Sequence, residues 1–545
     1  MRNRSRPWRF GILPPLLALL FVLVGEERFP RLHSLPVADH VPVGVSSEPR
    51  ASTGTRAADA ELLDLQGDLQ AILRSTGNRD ARWGVLAISL DRGDTLLALN
   101  PRRRMVPASN TKLLTTSAAL HILGPDFTYQ TFVLARGPHR GGALEGDLIL
   151  FGTGDPTQSD RFYPSRDAPM DSLAAFVAAA GITEITGDLR VDGTFFRGPV
   201  LHPEWNPADF NESFAAPVTS VIFNENLLTL RVEPGLRTGV RPMVHTLPPA
   251  SGVPVLNSAR TRPGGTRSRI WLTRETPADP ISIEGEIPLR GRDVWRRLPV
   301  SDPLTFYGGQ LRRALERRGI RVHGRVRGVR NPLESSLGPS FAGEGRRSGS
   351  PRILGVLESP PLVEILRVVN KESHNLFAEA VGKTLGRVVL GDGSFRGGAE
   401  VVSRFLAQEV GISEEEIRVK DASGLSPFNG LSPGAMLQLL TFMEASPRWE
   451  EYWSTLPEAG VRRELGRMYR SPAARNLRAK TGTMRGVSAL SGMVRTRTGE
   501  RILFSIIANE VASEYRAKRA EDQVGIRLAS LTRPLPAPEK EEGRP

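Results

Sequence analysis

A chain of 545 residues is longer than one hydrophobic core usually serves, so two to four domains are expected. With 39% hydrophobic and 24% charged residues it is neither disordered nor fibrous. The net charge of +13 is carried by 65 arginines and seven lysines, and the absence of cysteine excludes a disulfide framework, a cysteine-ligated metal and a thiol nucleophile.

Met1–Phe10 holds Arg2, Arg4, Arg6 and Arg9 and no acid, and Gly11–Val24 is apolar throughout. That order reads as a secretory signal or signal anchor over residues 1–25, too short for an ordinary spanning helix. Its basic flank is expected at the inner membrane, with the rest of the chain exported to the periplasm or the outer face of the cytoplasmic membrane. Export argues against a nucleic-acid partner, although the charge would suit one. Residues 26–58 are rich in Pro, Ser, Gly and Arg and read as a flexible linker.

From Ala60, the spacing of Leu62, Leu63, Leu65, Leu69, Ile72 and Leu73 predicts an amphipathic helix. Trp83–Leu90 and Thr95–Leu99 flank Asp91-Arg92-Gly93-Asp94 as a hairpin, and a second helix follows Pro107-Ala108-Ser109. Between 128 and 352, short alternating runs separated by Gly, Pro and Asp predict a β-rich insertion of one or two modules, closing with a helix at Pro303–Arg318. Helical patterns resume at Pro361–Leu385, Gly398–Val410 and Pro433–Glu444. The strands Val487–Arg495 and Arg501–Ala508 form a meander, and Tyr515–Leu531 closes the domain before a disordered tail over 533–545. The fold class is therefore mixed α/β: one domain over 59–127 and 353–532, split by the region 128–352.

Three segments carry chemistry. Ser109-Asn110-Thr111-Lys112 puts a hydroxyl and an amine one helical turn apart, on one face. A serine hydroxyl needs a neighbouring base, and lysine is one only when uncharged. The helix dipole, burial and a second cation such as Lys480 all lower its pKa. Ser373-His374-Asn375 offers a hydroxyl for proton relay and a carboxamide for a substrate carbonyl; His374 is given no role. Lys480-Thr481-Gly482 presents a cation and bare backbone on a strand, with no side chain at Gly482 to block a ligand. Gly430-Leu431-Ser432-Pro433-Gly434 fits Gly-x-Ser-x-Gly but reads as a helix cap, with Ser432 before Pro433. The eight histidines are scattered, so neither metal nor other cofactor is expected.

Ser-x-x-Lys, Ser-x-Asn and Lys-Thr-Gly in this order form a motif set of penicillin-binding proteins and serine β-lactamases. Together with Ala216-Pro217-Val218-Thr219-Ser220, Asn224-Glu225-Asn226, Asp421-Ala422-Ser423-Gly424-Leu425-Ser426 and the long insertion, the chain over roughly 60–530 resembles the class C low-molecular-mass penicillin-binding proteins. These are D-alanyl-D-alanine carboxypeptidases and endopeptidases of peptidoglycan. The resemblance implies a transpeptidase-type fold, helices packed on an antiparallel sheet. It implies Ser109 as acylated nucleophile, Lys112 as its base, and Ser373 and Asn375 as proton-relay and substrate-amide residues. Lys480 would bind the substrate carboxylate beside Thr481, and the N–H groups of Ser109 and Thr483 would form the oxyanion hole. Asp155, in Gly152-Thr153-Gly154-Asp155-Pro156, and Met484 would contact a diaminopimelate side chain; Thr153 and Ala422 stand where the family usually has glycine. Stem peptides are the expected partners and β-lactams the expected inhibitors. The rival readings are an exported wall-polymer binder without turnover and a β-lactam-hydrolysing enzyme, the latter opposed by the lack of a Glu-x-x-Leu-Asn box.

Overall fold

The computed structural model describes residues 53–75, 80–249, 253–265, 267–276, 279–335, 337 and 350–535. The signal segment expected at 1–25 lies outside them, and no helix among the described residues is long and apolar enough to cross a membrane. The first helix, Thr53–Ser75, begins inside the stretch expected to be linker.

Val487–Arg495 and Arg501–Asn509 are almost wholly buried, because both faces of their sheet are covered. The antiparallel sheet runs Thr95–Leu99, Arg82–Ser89, Arg501–Asn509, Val487–Arg495, Arg478–Met484, which leaves the lysine strand at an edge. Leu503 and Met493 join Leu113, Leu366, Phe377 and Leu439 on one face. Phe504 and Leu490 join Leu65, Leu69, Val524 and Leu528 on the other. Adjacent residues thus serve opposite cores, as the two-residue period of a strand requires.

Gln130–Arg136 leaves this unit and Arg352–Glu358 returns to it, paired antiparallel, so the intervening chain begins and ends at one place. They edge a five-stranded sheet of order Val326–Val329, Leu189–Asp192, Asp147–Gly152, Gln130–Arg136, Arg352–Glu358. Around it lies a separate core that includes Val133, Leu173, Leu230, Ile283 and Leu311. The β-rich expectation overlooked one helix here, Ala168–Ala179. Its alanines favour helix, and Phe176 packs where a Cβ on Gly355 would come within 2.2 Å of the ring.

Two further expectations need correction. The pattern over Pro361–Leu385 is not one helix but two, Leu362–Lys371 and Asn375–Leu390, separated by Ser373 at φ 57°. The apolar period survives the break because Leu366, Val369, Phe377 and Val381 all face the same core. Arg533, expected to open the solvated tail, is buried and paired with Asp94 at 2.6 Å and with Glu500.

Candidate active site

Ser109 sits in the short turn Ala108–Asn110 that leads into the helix Thr111–Ile122. Ala108 has φ 47°, and its carbonyl accepts from Thr111 Oγ1 at 2.9 Å. Lys112, one turn on, is fully buried because this helix is covered on all sides from Thr111 to Leu120. Its Nζ lies 2.9 Å from Ser109 Oγ, 2.7 Å from Asn375 Oδ1 and 2.6 Å from the Ser423 carbonyl. Burial is the main cause that lowers its pKa to about 7, with Asp421 and Glu379 pulling the other way. In a neutral amine the two fixed acceptors take both N–H groups, which turns the lone pair toward the Ser109 hydroxyl.

The Ser423 carbonyl is held by a loop that polar groups shape from within. Asp421 accepts from the N–H of Gly424 at 2.7 Å and of Ser426 at 2.6 Å, and from Trp205 Nε1 at 2.9 Å. Glu379 accepts from the N–H of Ala422 and, at 2.8 Å, of Ser423. Burial pushes the Glu379 carboxyl up to about 8, helped by Asp421. Gly424 must be glycine: at φ 82°, a Cβ there would lie 1.9 Å from the Ala108 carbonyl.

Lys480 is also fully buried. Its Nζ donates to Ser373 Oγ at 2.8 Å and to the Thr481 carbonyl at 2.9 Å. Burial, and then the charge of Lys112, hold its pKa well below the usual lysine range. The structure therefore brings Ser109, Lys112, Asn375, Ser373 and Lys480 together. Thr481, Gly482, Thr483 and Met484 follow along the edge strand, with Thr483 exposed.

Gly482 passes so close to the serine turn that a Cβ would meet the Pro107 carbonyl at 2.5 Å. Gly482→Ala is expected to destabilise the fold by about 1–3 kcal/mol. It should also slow acylation by labelled penicillin roughly 10- to 100-fold, since small displacements of reacting groups are costly. A melt and a labelling time course check both.

Asp155 is not part of this hydrogen-bonded set. It is buried, and accepts from Thr157 N at 2.9 Å, Thr157 Oγ1 at 2.7 Å and Gln158 Nε2 at 3.1 Å, while burial pushes its carboxyl up. Thr153 uses its hydroxyl to bond both the N–H and the carbonyl of Gln130, at 2.8 and 3.1 Å. Ser432 caps its helix, accepting from Ala435 N at 2.9 Å. Sequence reasoning missed Glu379 and the Ser423 carbonyl, whose signal was the Asp421–Ser426 stretch. It also missed His374, whose Nε2 lies 3.1 Å from Glu225 Oε2.

The model of the D-Ala-D-Ala carboxypeptidase 3 (S13) family matches residues 65–531. The chain is 30% identical over 520 residues to the D-alanyl-D-alanine carboxypeptidase of Actinomadura sp. (strain R39), covering 93% of this chain and 91% of that one. It is 24% identical over 445 residues to the D-alanyl-D-alanine carboxypeptidase DacB of Haemophilus influenzae, covering 80% and 88%. The crystal structure of penicillin binding protein 4 from Haemophilus influenzae shares the fold, with a TM-score of 0.70 at 22% identity over 86% of this chain and 99% of that one.

Proposed function

The chain belongs to the D-Ala-D-Ala carboxypeptidase 3 (S13) family, and from that premise we propose that Ser109 is the nucleophile of a serine-type D-alanyl-D-alanine carboxypeptidase and endopeptidase acting on peptidoglycan stem peptides. The observation that carries the assignment is the buried Lys112 amine, 2.9 Å from Ser109 Oγ and bound otherwise to two fixed acceptors.

Neutral Lys112 takes the Ser109 proton as Oγ attacks the carbonyl of the penultimate D-alanine. The N–H groups of Ser109 and Thr483 receive the developing oxyanion. Ser373, bonded to Lys480, relays to the departing amine the proton that Lys112 took from Ser109, and water then hydrolyses the acyl-enzyme. The substrate's terminal carboxylate sits on Lys480, and that pairing raises the pKa of a lysine which burial had lowered. One N–H of the Asn375 amide is used within the protein, at the Phe214 carbonyl, and the other is available to a substrate carbonyl. β-Lactams acylate the same serine. Asp155 and Met484 as side-chain contacts of a diaminopimelate residue belong to this proposal, as does export by residues 1–25. So does the division into a catalytic unit, 59–127 and 353–532, around an inserted region, 128–352, which the separate cores support.

The test is D-alanine release from a pentapeptide ending in D-alanyl-D-alanine, together with cleavage of a cross-linked dimer. A folded protein that leaves both intact contradicts the proposal. The pH dependence carries a sign. The base acts uncharged, so the acylation rate constant should climb as pH rises through about 7 and level off above it. A flat profile would remove Lys112 from that role.

A further inference from the structure

We propose that the inserted region positions the Ser373 turn through a three-point latch: Arg161 holds Glu372, Glu225 holds His374, and the Phe214 carbonyl holds Asn375. The proposal rests on reading Ser373 and Asn375 as the proton-relay and amide residues.

The turn needs holding. Ser373 stands at φ 57° between two helices, a left-handed conformation that is unfavourable for a residue other than glycine. Its own hydroxyl is engaged by Lys480. Each neighbour is taken by a group from the insertion. Arg161 pairs with the Glu372 carboxylate. His374 Nε2 meets Glu225 Oε2 at 3.1 Å, with its ring against Phe377 at 4.4 Å. Asn375 Nδ2 donates to the Phe214 carbonyl at 3.0 Å.

Glu225 is itself presented at a price in backbone strain. Asn224, Glu225 and Asn226 are all left-handed, at φ 49°, 58° and 52°. Three consecutive residues in that region are rare, and such strain collects at functional sites. The Asn226 amide braces the bend on the Pro217 carbonyl at 2.9 Å, and the Asn224 amide braces it on the Leu227 carbonyl at 2.6 Å. The Glu225 carboxylate is buried. Arg161 at 2.9 Å and Arg297 at 2.8 Å bind it beside His374, so it is held as an anion facing the turn.

The Phe214 contact has a separate consequence. A carbonyl can only accept, so it fixes which end of the Asn375 amide is nitrogen and directs Oδ1 to Lys112. The insertion thereby sets one of the two acceptors that orient the base, besides placing the Ser373 hydroxyl.

His374 and Glu225 are positioning residues, and their test separates placement from folding. In His374→Ala the penicillin acylation rate constant should fall roughly 10- to 100-fold, as for a displaced reacting group. The dissociation constant of the pre-acylation complex should change less than about threefold, since ground-state binding is retained. His374→Gln, which keeps an N–H for Glu225, should recover most of the loss. Glu225→Gln should slow acylation similarly, and the double variant Glu225→Gln/His374→Ala should be no slower than His374→Ala alone. Wild-type acylation in folded His374→Ala, or losses that multiply in the double variant, would overturn the latch. Should His374→Ala not fold, Glu225→Gln against wild type decides it: an unchanged rate constant overturns it. Failure of the wild-type protein to acylate at Ser109 would instead sink the functional reading beneath it.

Discussion

Replacing Ser109 by alanine is expected to lower D-alanine release from a pentapeptide by roughly 10⁴- to 10⁶-fold, the scale seen when a covalent nucleophile is removed. The penicillin adduct should disappear with it. The other hydroxyls are poorly placed to substitute. Ser373 Oγ is a partner of Lys480, and Ser432 Oγ is tied to Glu416 and to the N–H of Ala435. The fold should tolerate the change, since Ser109 is only half-buried and Lys112 keeps its bonds to Asn375 Oδ1 and the Ser423 carbonyl. Product analysis and fluorescent-penicillin labelling of a variant with a wild-type melt give the result. Undiminished labelling would mean that another residue is acylated.

Lys112→Ala is expected to slow acylation by roughly 10²- to 10⁴-fold, the usual contribution of a positioned general base. Lys112→Arg separates base from cation. Guanidinium stays protonated in proteins, so it can supply charge but cannot take the serine proton. Arginine should therefore be about as defective as alanine, and the rise through pH about 7 should vanish from both profiles. Stopped-flow acylation across pH reads this out. Near-normal acylation by the arginine variant would assign Lys112 an electrostatic role alone. In Lys112→Ala, the buried Ser423 carbonyl loses its donor, at about 1–3 kcal/mol, and the half-buried Asn375 Oδ1 loses one too, so melts must accompany the kinetics.

Local features of this site were legible in the sequence, and long-range ones were not. Ser109 and Lys112 share a helix face, so spacing alone places them together. The Lys480 strand shows in the alternation of its hairpin partners. The motif set joins these to Ser373 and Asn375. The break that exposes Ser373 left no mark, because Leu366 and Phe377 keep the helical period on both sides of one left-handed residue. Glu225 and His374 are 149 residues apart, and nothing local to either predicts the other. Arg533 misled for a related reason. It follows a closing helix in a polar, proline-containing stretch, yet Asp94 and Glu500 provide a buried place for its charge. Asp155 remained readable as either a turn or a pocket residue. In the structure its oxygens serve Thr157 and Gln158.

The most direct measurement is mass mapping of the wild-type protein after brief penicillin exposure and trypsin digestion. The account predicts one adduct, on the peptide Met105–Lys112, in which Ser109 is the modified residue. An adduct on Ser373, on Ser432 or on any peptide lacking Ser109 would contradict it, as would a folded protein that forms none.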